Sequence, residues 1–219
     1  MTQTLSGPML APLGGGAPRQ LVVLLHGYGS DGADLIALGT HWQAMLPDAL
    51  FVAPNAPDES AANPMGYQWF ALDLDRANDR QTGAPLARPV IEDFLRALWV
   101  QTGLGAHETF LVGFSQGAMM ALHVGMALDE QLAGVIAFSG AFIPPAGFHE
   151  GAAPRPPVCL VHGDQDGVVD PDLSRQAAEA LRARGVEVNY HVSEGVGHGI
   201  SPDGLAFASA FIAGVLATL

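Results

Sequence analysis

A serine stands between two glycines in Gly113-Phe114-Ser115-Gln116-Gly117. The apolar run Thr109-Phe110-Leu111-Val112 precedes it, and Ala118-Met119-Met120-Ala121-Leu122 follows. This spacing predicts a strand, a sharp turn and a helix, with a hydroxyl at the apex. So tight a turn strains the serine backbone, and side chains two residues to either side would collide. Glycine at 113 and 117 removes both collisions. The hydroxyl then sits at the head of a helix, where free N–H groups and the dipole favour developing negative charge. The chemistry this suits is attack on a carbonyl carbon, given a base to take the serine proton. Ser139, in Phe138-Ser139-Gly140, lacks glycines at both required positions and is a weaker rival.

Imidazole suits the task of base, and it needs a carboxylate to hold its tautomer and stabilise its charged form. The chain has eight histidines. His41, His107, His123 and His149 fall in helices or connections away from the predicted strand ends. His191 lies within a strand, and His26 belongs to a glycine loop. His162 precedes the acidic loop. His198, in Gly195-Val196-Gly197-His198-Gly199, lies between the last strand and the last helix and is the expected base. Three acids cluster after one strand, Asp164, Asp166 and Asp170, and spacing alone leaves the choice open. Asp170, just before Pro171, has the position of a helix cap.

The elements that must carry these groups follow from the apolar pattern. Gln20 to Leu25 is a continuous apolar run after its first residue, the mark of a strand buried on both faces. It ends in His26-Gly27-Tyr28-Gly29, a loop whose glycines let backbone N–H groups approach a substrate oxygen. Asp31 is placed to cap a helix over 32–45. A strand over 49–53 follows, then a long irregular segment from Asn55 to Pro85. Its Met65, Tyr67, Trp69 and Phe70 are costly to leave in water and suit either a substrate-pocket wall or the edge of the core. Asp73, Asp75, Arg76, Asp79 and Arg80 read as solvated surface. A helix is predicted over 89–100, with Val90, Phe94, Leu95 and Leu98 inward. Further strands are expected over 132–138, 157–161 and 186–192, and helices over 171–184 and 202–216. The lead-in up to Arg19 is irregular, with a short edge hairpin over 4–9. Phe142, just past a strand end, and Val168, beside the acidic loop, are further candidates to line a pocket.

Strands alternating with helices imply a mostly parallel, doubly wound α/β sheet with helices on both faces, in one domain spanning 1–219. In such sheets function gathers at the carboxyl ends of the strands. The chain order serine, acid, histidine is that of α/β-hydrolases.

Composition narrows the function further. Hydrophobic residues make up 49% of the 219, which is ample for a core covered on both sides. A net charge of −13 argues against nucleic acid and anionic membrane surfaces as partners. All nine basic residues are arginine. Without lysine there is no Schiff base, no Ser–Lys pair and no P-loop. The single cysteine, Cys159, lies in an apolar run and reads as a buried, inert thiol. No metal site is expected, since there is no H-E-x-x-H and no Cys/His cluster, and no cofactor is implied. No secretory signal and no span of about 18 apolar residues is found, so the expectation is a cytoplasmic protein without membrane insertion. The apolar surface is compatible with a homodimer.

Leu25-His26-Gly27-Tyr28-Gly29, Gly113-Phe114-Ser115-Gln116-Gly117, Phe138-Ser139-Gly140, His162-Gly163-Asp164-Gln165-Asp166 with Val168-Val169, and Gly197-His198 occur in this order along almost the whole chain. In this the sequence resembles the phospholipase/carboxylesterase family, which includes the acyl-protein thioesterases. The resemblance implies an α/β-hydrolase fold without a large cap domain. It implies Ser115 as nucleophile, Asp166 as triad acid and His198 as base, with the backbone N–H groups of Tyr28 and Gln116 as oxyanion donors. The chain departs from the family where Ala71 follows Trp69-Phe70 in place of an aspartate, and where Tyr28 replaces a frequent leucine. The implied activity is hydrolysis of small to medium acyl carboxylic esters. Acyl-protein thioesterase or lysophospholipase action on long chains is the alternative, and a non-catalytic binder of apolar ligands the third.

Overall fold

The computed structural model describes residues 5–72, 76–148 and 155–219. Strand β2 (Gln20–Leu25) lies third of seven in the sheet, and its residues after the first are fully buried. Leu21, Val23 and Leu25 join one apolar cluster, while Val22 and Leu24 join another. Alternate side chains of a strand point to opposite faces, so an apolar residue at every position requires cover on both.

The sheet runs β1 (Met9–Leu10), β3 (Ala49–Val52), β2, β6 (Thr109–Phe114), β7 (Gly134–Phe138), β8 (Val158–Gly163), β9 (Val188–Ser193). Neighbours are parallel except β1, which lies antiparallel on β3. Helices α3 (Arg76–Thr102), α4 (Gln116–Gly125) and α5 (Asp172–Arg182) supply one apolar layer. Helices α1 (Gly32–Leu35), α2 (Ala37–Trp42) and α6 (Pro202–Leu216) supply the other. The chain leaves β2 toward β3 and leaves β6 toward β7, in opposite directions along the sheet. That reversal opens a crevice at the carboxyl ends of β2 and β6, where Leu25 pairs with Gly113. The expected doubly wound sheet is thus present. Among the described residues, no helix is long and apolar enough to cross a membrane.

Several local expectations change. The helix predicted over 32–45 is two short helices hinged at Ile36, with Asp31 Oδ1 accepting from the Asp34 N–H as the cap. In the lead-in, Met9–Leu10 is a β1 edge strand on β3; Thr4 lies outside the described residues. The segment expected to be irregular from 55 to 85 holds a small hairpin, β4 (Asp58–Glu59) with β5 (Tyr67–Gln68), and the first turns of α3. Asp73 and Asp75 lie outside the described residues. Helix α3 starts well before Pro89 and contains both Pro85 and Pro89. Each proline removes one helical N–H and crowds the carbonyl four residues back. Both are exposed, while Ala84, Ala87, Ile91, Leu95 and Leu98 bury the opposite stripe. Apolar packing along that stripe outweighs the two breaks. Val90 and Phe94 flank it and are half-buried.

Candidate active site

Ser115 joins β6 to α4 with φ 53° and ψ −114°, in the left-handed region that a side chain rarely adopts. A Cβ on Gly113 would lie 2.2 Å from the Gly117 carbonyl oxygen, and one on Gly117 would lie 1.9 Å from that of Leu25. Both contacts are with backbone, so nothing flexible can yield. The Ser115 N–H donates to the Phe138 carbonyl at 2.9 Å, which ties the turn to β7. All ten residues of α4 are buried, so the helix behind the serine is fixed from every side.

From the serine a chain of hydrogen bonds crosses the strand ends. The Ser115 hydroxyl donates to His198 Nε2 at 3.0 Å, and His198 Nδ1–H donates to Asp166 Oδ2 at 2.6 Å. Asp166 Oδ1 accepts from the N–H groups of Val168 and Val169 at 2.8 and 2.9 Å. Burial raises the carboxyl pKa, but the bonds from His198, Val169 and Val168 outweigh it and hold Asp166 below the ordinary carboxylate range. The other two acids do different work: Asp164 accepts from the Gly195 N–H, and Asp170 accepts from the Asp172 N–H at the start of α5. Phe114 packs its ring against that of His198, 4.9 Å between centroids.

The loop after β2 meets the serine directly. A Cβ on Gly27 would stand 3.4 Å from the Ser115 Cβ, so the backbone leading to Tyr28 passes beside the hydroxyl. Gln116 is the first residue of α4, and its N–H has no acceptor within the helix. The loop is braced from behind. His26 Nδ1–H donates to the Gly27 carbonyl, and its Nε2 accepts from the Ala56 N–H at 2.9 Å. Those two roles require the neutral ring, and burial lowers the His26 pKa accordingly. The hairpin holds the other side: the Gly29 N–H donates to the Tyr67 carbonyl and Asn63 Nδ2 donates to the Gly29 carbonyl.

Gln116 does more than sequence reasoning assigned to it. Its buried side chain accepts from the Trp69 N–H at 2.9 Å and donates to the Phe70 carbonyl at 2.7 Å. Trp69 Nε1–H in turn donates to the His26 carbonyl. The segment at 69–70 is therefore clamped to the serine turn and the glycine loop together. Trp69 and Phe70 are buried in the core, and on their α3 side they line a cavity of about 410 Å³ with Pro57, Leu86 and Val90. Among the other expected pocket residues, Phe142 is half-buried and packs edge-on against Phe148. Val168, 52% exposed, sits next to the acid, whereas Met65, 84% exposed, stands out from the turn between β4 and β5.

His162 precedes Asp166 in the chain, out of the order expected of a triad base. In the fold it is buried, and its Nε2 lies 3.1 Å from Asp166 Oδ2. Its signal was the spacing of four residues to Asp166, which a turn folds back on itself. Cys159 is buried and its thiol is pushed up to about 12 by that burial, so it stays protonated. His149 lies outside the described residues.

Residues 13–216 match the family described as Phospholipase/Carboxylesterase. The chain belongs to that family. It is a carboxylic ester hydrolase with the α/β-hydrolase fold. Similar proteins include the esterase YpfH of Escherichia coli (strain K12), 34% identical over 190 residues that cover 87% of this chain and 80% of that one. Acyl-protein thioesterase 1 of Gibberella zeae is 25% identical over 228 residues, covering 95% and 97%. The crystal structure of an esterase named PE8 superposes with a TM-score of 0.93 at 52% identity, over 97% of this chain and 99% of the other.

Proposed function

We propose that this family member hydrolyses small to medium acyl carboxylic esters through Ser115, His198 and Asp166. The observation that carries the reading is the unbroken run of contacts from the Ser115 hydroxyl through both nitrogens of His198 to a carboxylate kept ionised. His198 Nε2 takes the serine proton as Oγ attacks the ester carbon. The carbonyl oxygen becomes an oxyanion facing the Tyr28 and Gln116 N–H groups. His198 then gives its proton to the departing alkoxide, leaving an acyl group on Ser115. A water, deprotonated by His198, attacks that acyl carbon, and the carboxylic acid leaves as Ser115 regains its proton. Asp166 keeps Nδ1 protonated and balances the imidazolium throughout.

The preference for modest substrates is supported by an apolar cleft of about 220 Å³ lined by Leu35, Leu38, Phe114 and Ile200, which shares Phe114 with the ring contact to His198. It holds roughly seven water volumes at ~30 Å³ each. The high negative charge, which disfavours anionic membrane surfaces, supports action on soluble, uncharged esters. Long-chain action is the second reading, favoured by the acyl-protein thioesterases among the relatives. Hydrolysis of nitrophenyl esters from two to sixteen acyl carbons separates the two. A maximum at short chains that vanishes in Ser115→Ala is expected; a maximum at long chains moves the assignment to acyl-protein or lipid substrates.

A further inference from the structure

Asp166 Oδ2 faces two histidines, and only one of them touches the serine. The second, His162 at the end of β8, is 1% exposed. Its Nε2 lies 3.1 Å from Asp166 Oδ2 and 3.1 Å from the Val169 carbonyl oxygen. Both neighbours are acceptors only, so Nε2 must carry the hydrogen; the other tautomer would press a lone pair against a carboxylate. Nδ1 lies 2.6 Å from Ser174 Oγ, on α5. In the neutral ring Nδ1 is a lone pair, and the Ser174 hydroxyl is the donor that satisfies it. The Gly140 carbonyl, 3.0 Å from the same Oγ, competes for that single proton from farther away.

This closes a ring. Val169 donates its N–H to Asp166 Oδ1 and presents its carbonyl to His162, which donates to Oδ2. The carboxylate is thus held at both oxygens by the protein before His198 arrives. A carboxylate anchored through Oδ1 alone is free to tilt about that edge. Tilting moves Oδ2 off the His198 Nδ1–H, and the far nitrogen of His198 then drifts from Ser115. The titratable groups facing His162 are Asp166 and, across it, His198.

We infer that His162 is a positioning residue: its Nε2–H fixes Oδ2 of Asp166 toward His198, and Ser174 sets the tautomer that allows it. The inference rests on the triad reading above, and one of its readouts, the low-field resonance, does not. The test compares His162→Leu, which removes the donor, with His162→Gln, whose side-chain amide restores one at similar reach. Rates are normalised to active sites titrated with an organophosphonate. Leu should lower kcat by about 10- to 100-fold with KM within about twofold, the cost of a misaligned base rather than of lost binding. Gln should recover kcat to within about threefold of wild type. The low-field proton resonance of the short His198–Asp166 bond should move or broaden in Leu and return in Gln, whatever reaction the enzyme performs. A Leu variant with wild-type kcat per site and an unmoved resonance overturns the inference, as does a Gln variant no better than Leu. Should Leu fail to fold, Ser174→Ala against Ser174→Thr asks the same question: Ala is expected to lose about three- to tenfold in kcat and Thr to regain it. An Ala variant with wild-type kcat and resonance then overturns the assignment.

Discussion

Two serines end neighbouring parallel strands with nearly the same positive φ, Ser115 after β6 with 53° and Ser139 after β7 with 50°. Both are buried, and each receives support from the next strand: Ser115 N–H from the Phe138 carbonyl, Ser139 N–H from that of Val161. Their hydroxyls differ. Ser115 Oγ meets His198, while Ser139 Oγ has no hydrogen-bond partner among the described residues. Behind Ser115 two glycines let the backbone of α4 and β2 close to contact; behind Ser139, Gly140 meets the methyl of Ala118. Strain at a strand end therefore does not by itself bring a base to a hydroxyl. What differs is the histidine that the last loop delivers to one hydroxyl and not to the other.

The sharpest way to break the comparison is to replace each serine by glycine, which accepts a positive φ without cost. Ser115→Gly is expected to lose about 10⁵-fold or more in kcat/KM on a nitrophenyl ester, with its melting temperature unchanged or raised. Equal loss from Ser139→Gly would void the contrast. Next in size are the flanking glycines. Gly117→Ala drives a methyl into the Leu25 carbonyl, and should cost about 4 kcal/mol or more in urea unfolding. Gly140→Ala places its Cβ 2.6 Å from the Ala118 side chain and should cost about 1–3 kcal/mol.

Acid separates the supports of the two sites. His26, His123 and His162 all have pKa values lowered by burial below the ordinary 6.5. Below that value the unfolded chain binds protons that the folded chain refuses, so stability falls as pH drops from 6.5 toward the lowered values. Each histidine contributes up to about 1.4 kcal/mol per pH unit in that window. Asp166 acts lower: its stabilisation is complete above the ordinary 3.8 and is lost as pH falls through its depressed value. Urea midpoints measured from pH 7 to pH 4 should therefore begin to fall before Asp166 titrates. The smallest effect is the stability of Ser139→Gly. It relieves a positive φ and an unpaired buried hydroxyl, and is expected to gain about 1 kcal/mol in urea unfolding with kcat within about twofold of wild type.

Much of this was legible in the chain. The glycine-flanked serine, the apolar runs and their order are local patterns, and local patterns report local structure. Asp31 capping α1 and Pro202 opening α6 are of the same kind. The reading ran short where packing overrode propensity. Helix α3 crosses Pro85 and Pro89 because its buried stripe outweighs two missing hydrogen bonds. The hairpin at 58–68 escaped notice because its strands are two residues each and have no apolar alternation of their own.

The sequence by itself determined which residues are chemically able to act: one serine freed by glycines, one histidine in a late glycine loop, three candidate acids, and no lysine. Those are matters of residue type and near-neighbour spacing. Only the tertiary structure decided which acid faces His198, that a second histidine shares its oxygen, and that the Gln116 side chain clamps residues 69–70 to the serine turn. Those contacts join groups 4 to 47 positions apart. They exist because burial leaves each polar group one way to be satisfied, a condition that only the folded packing sets.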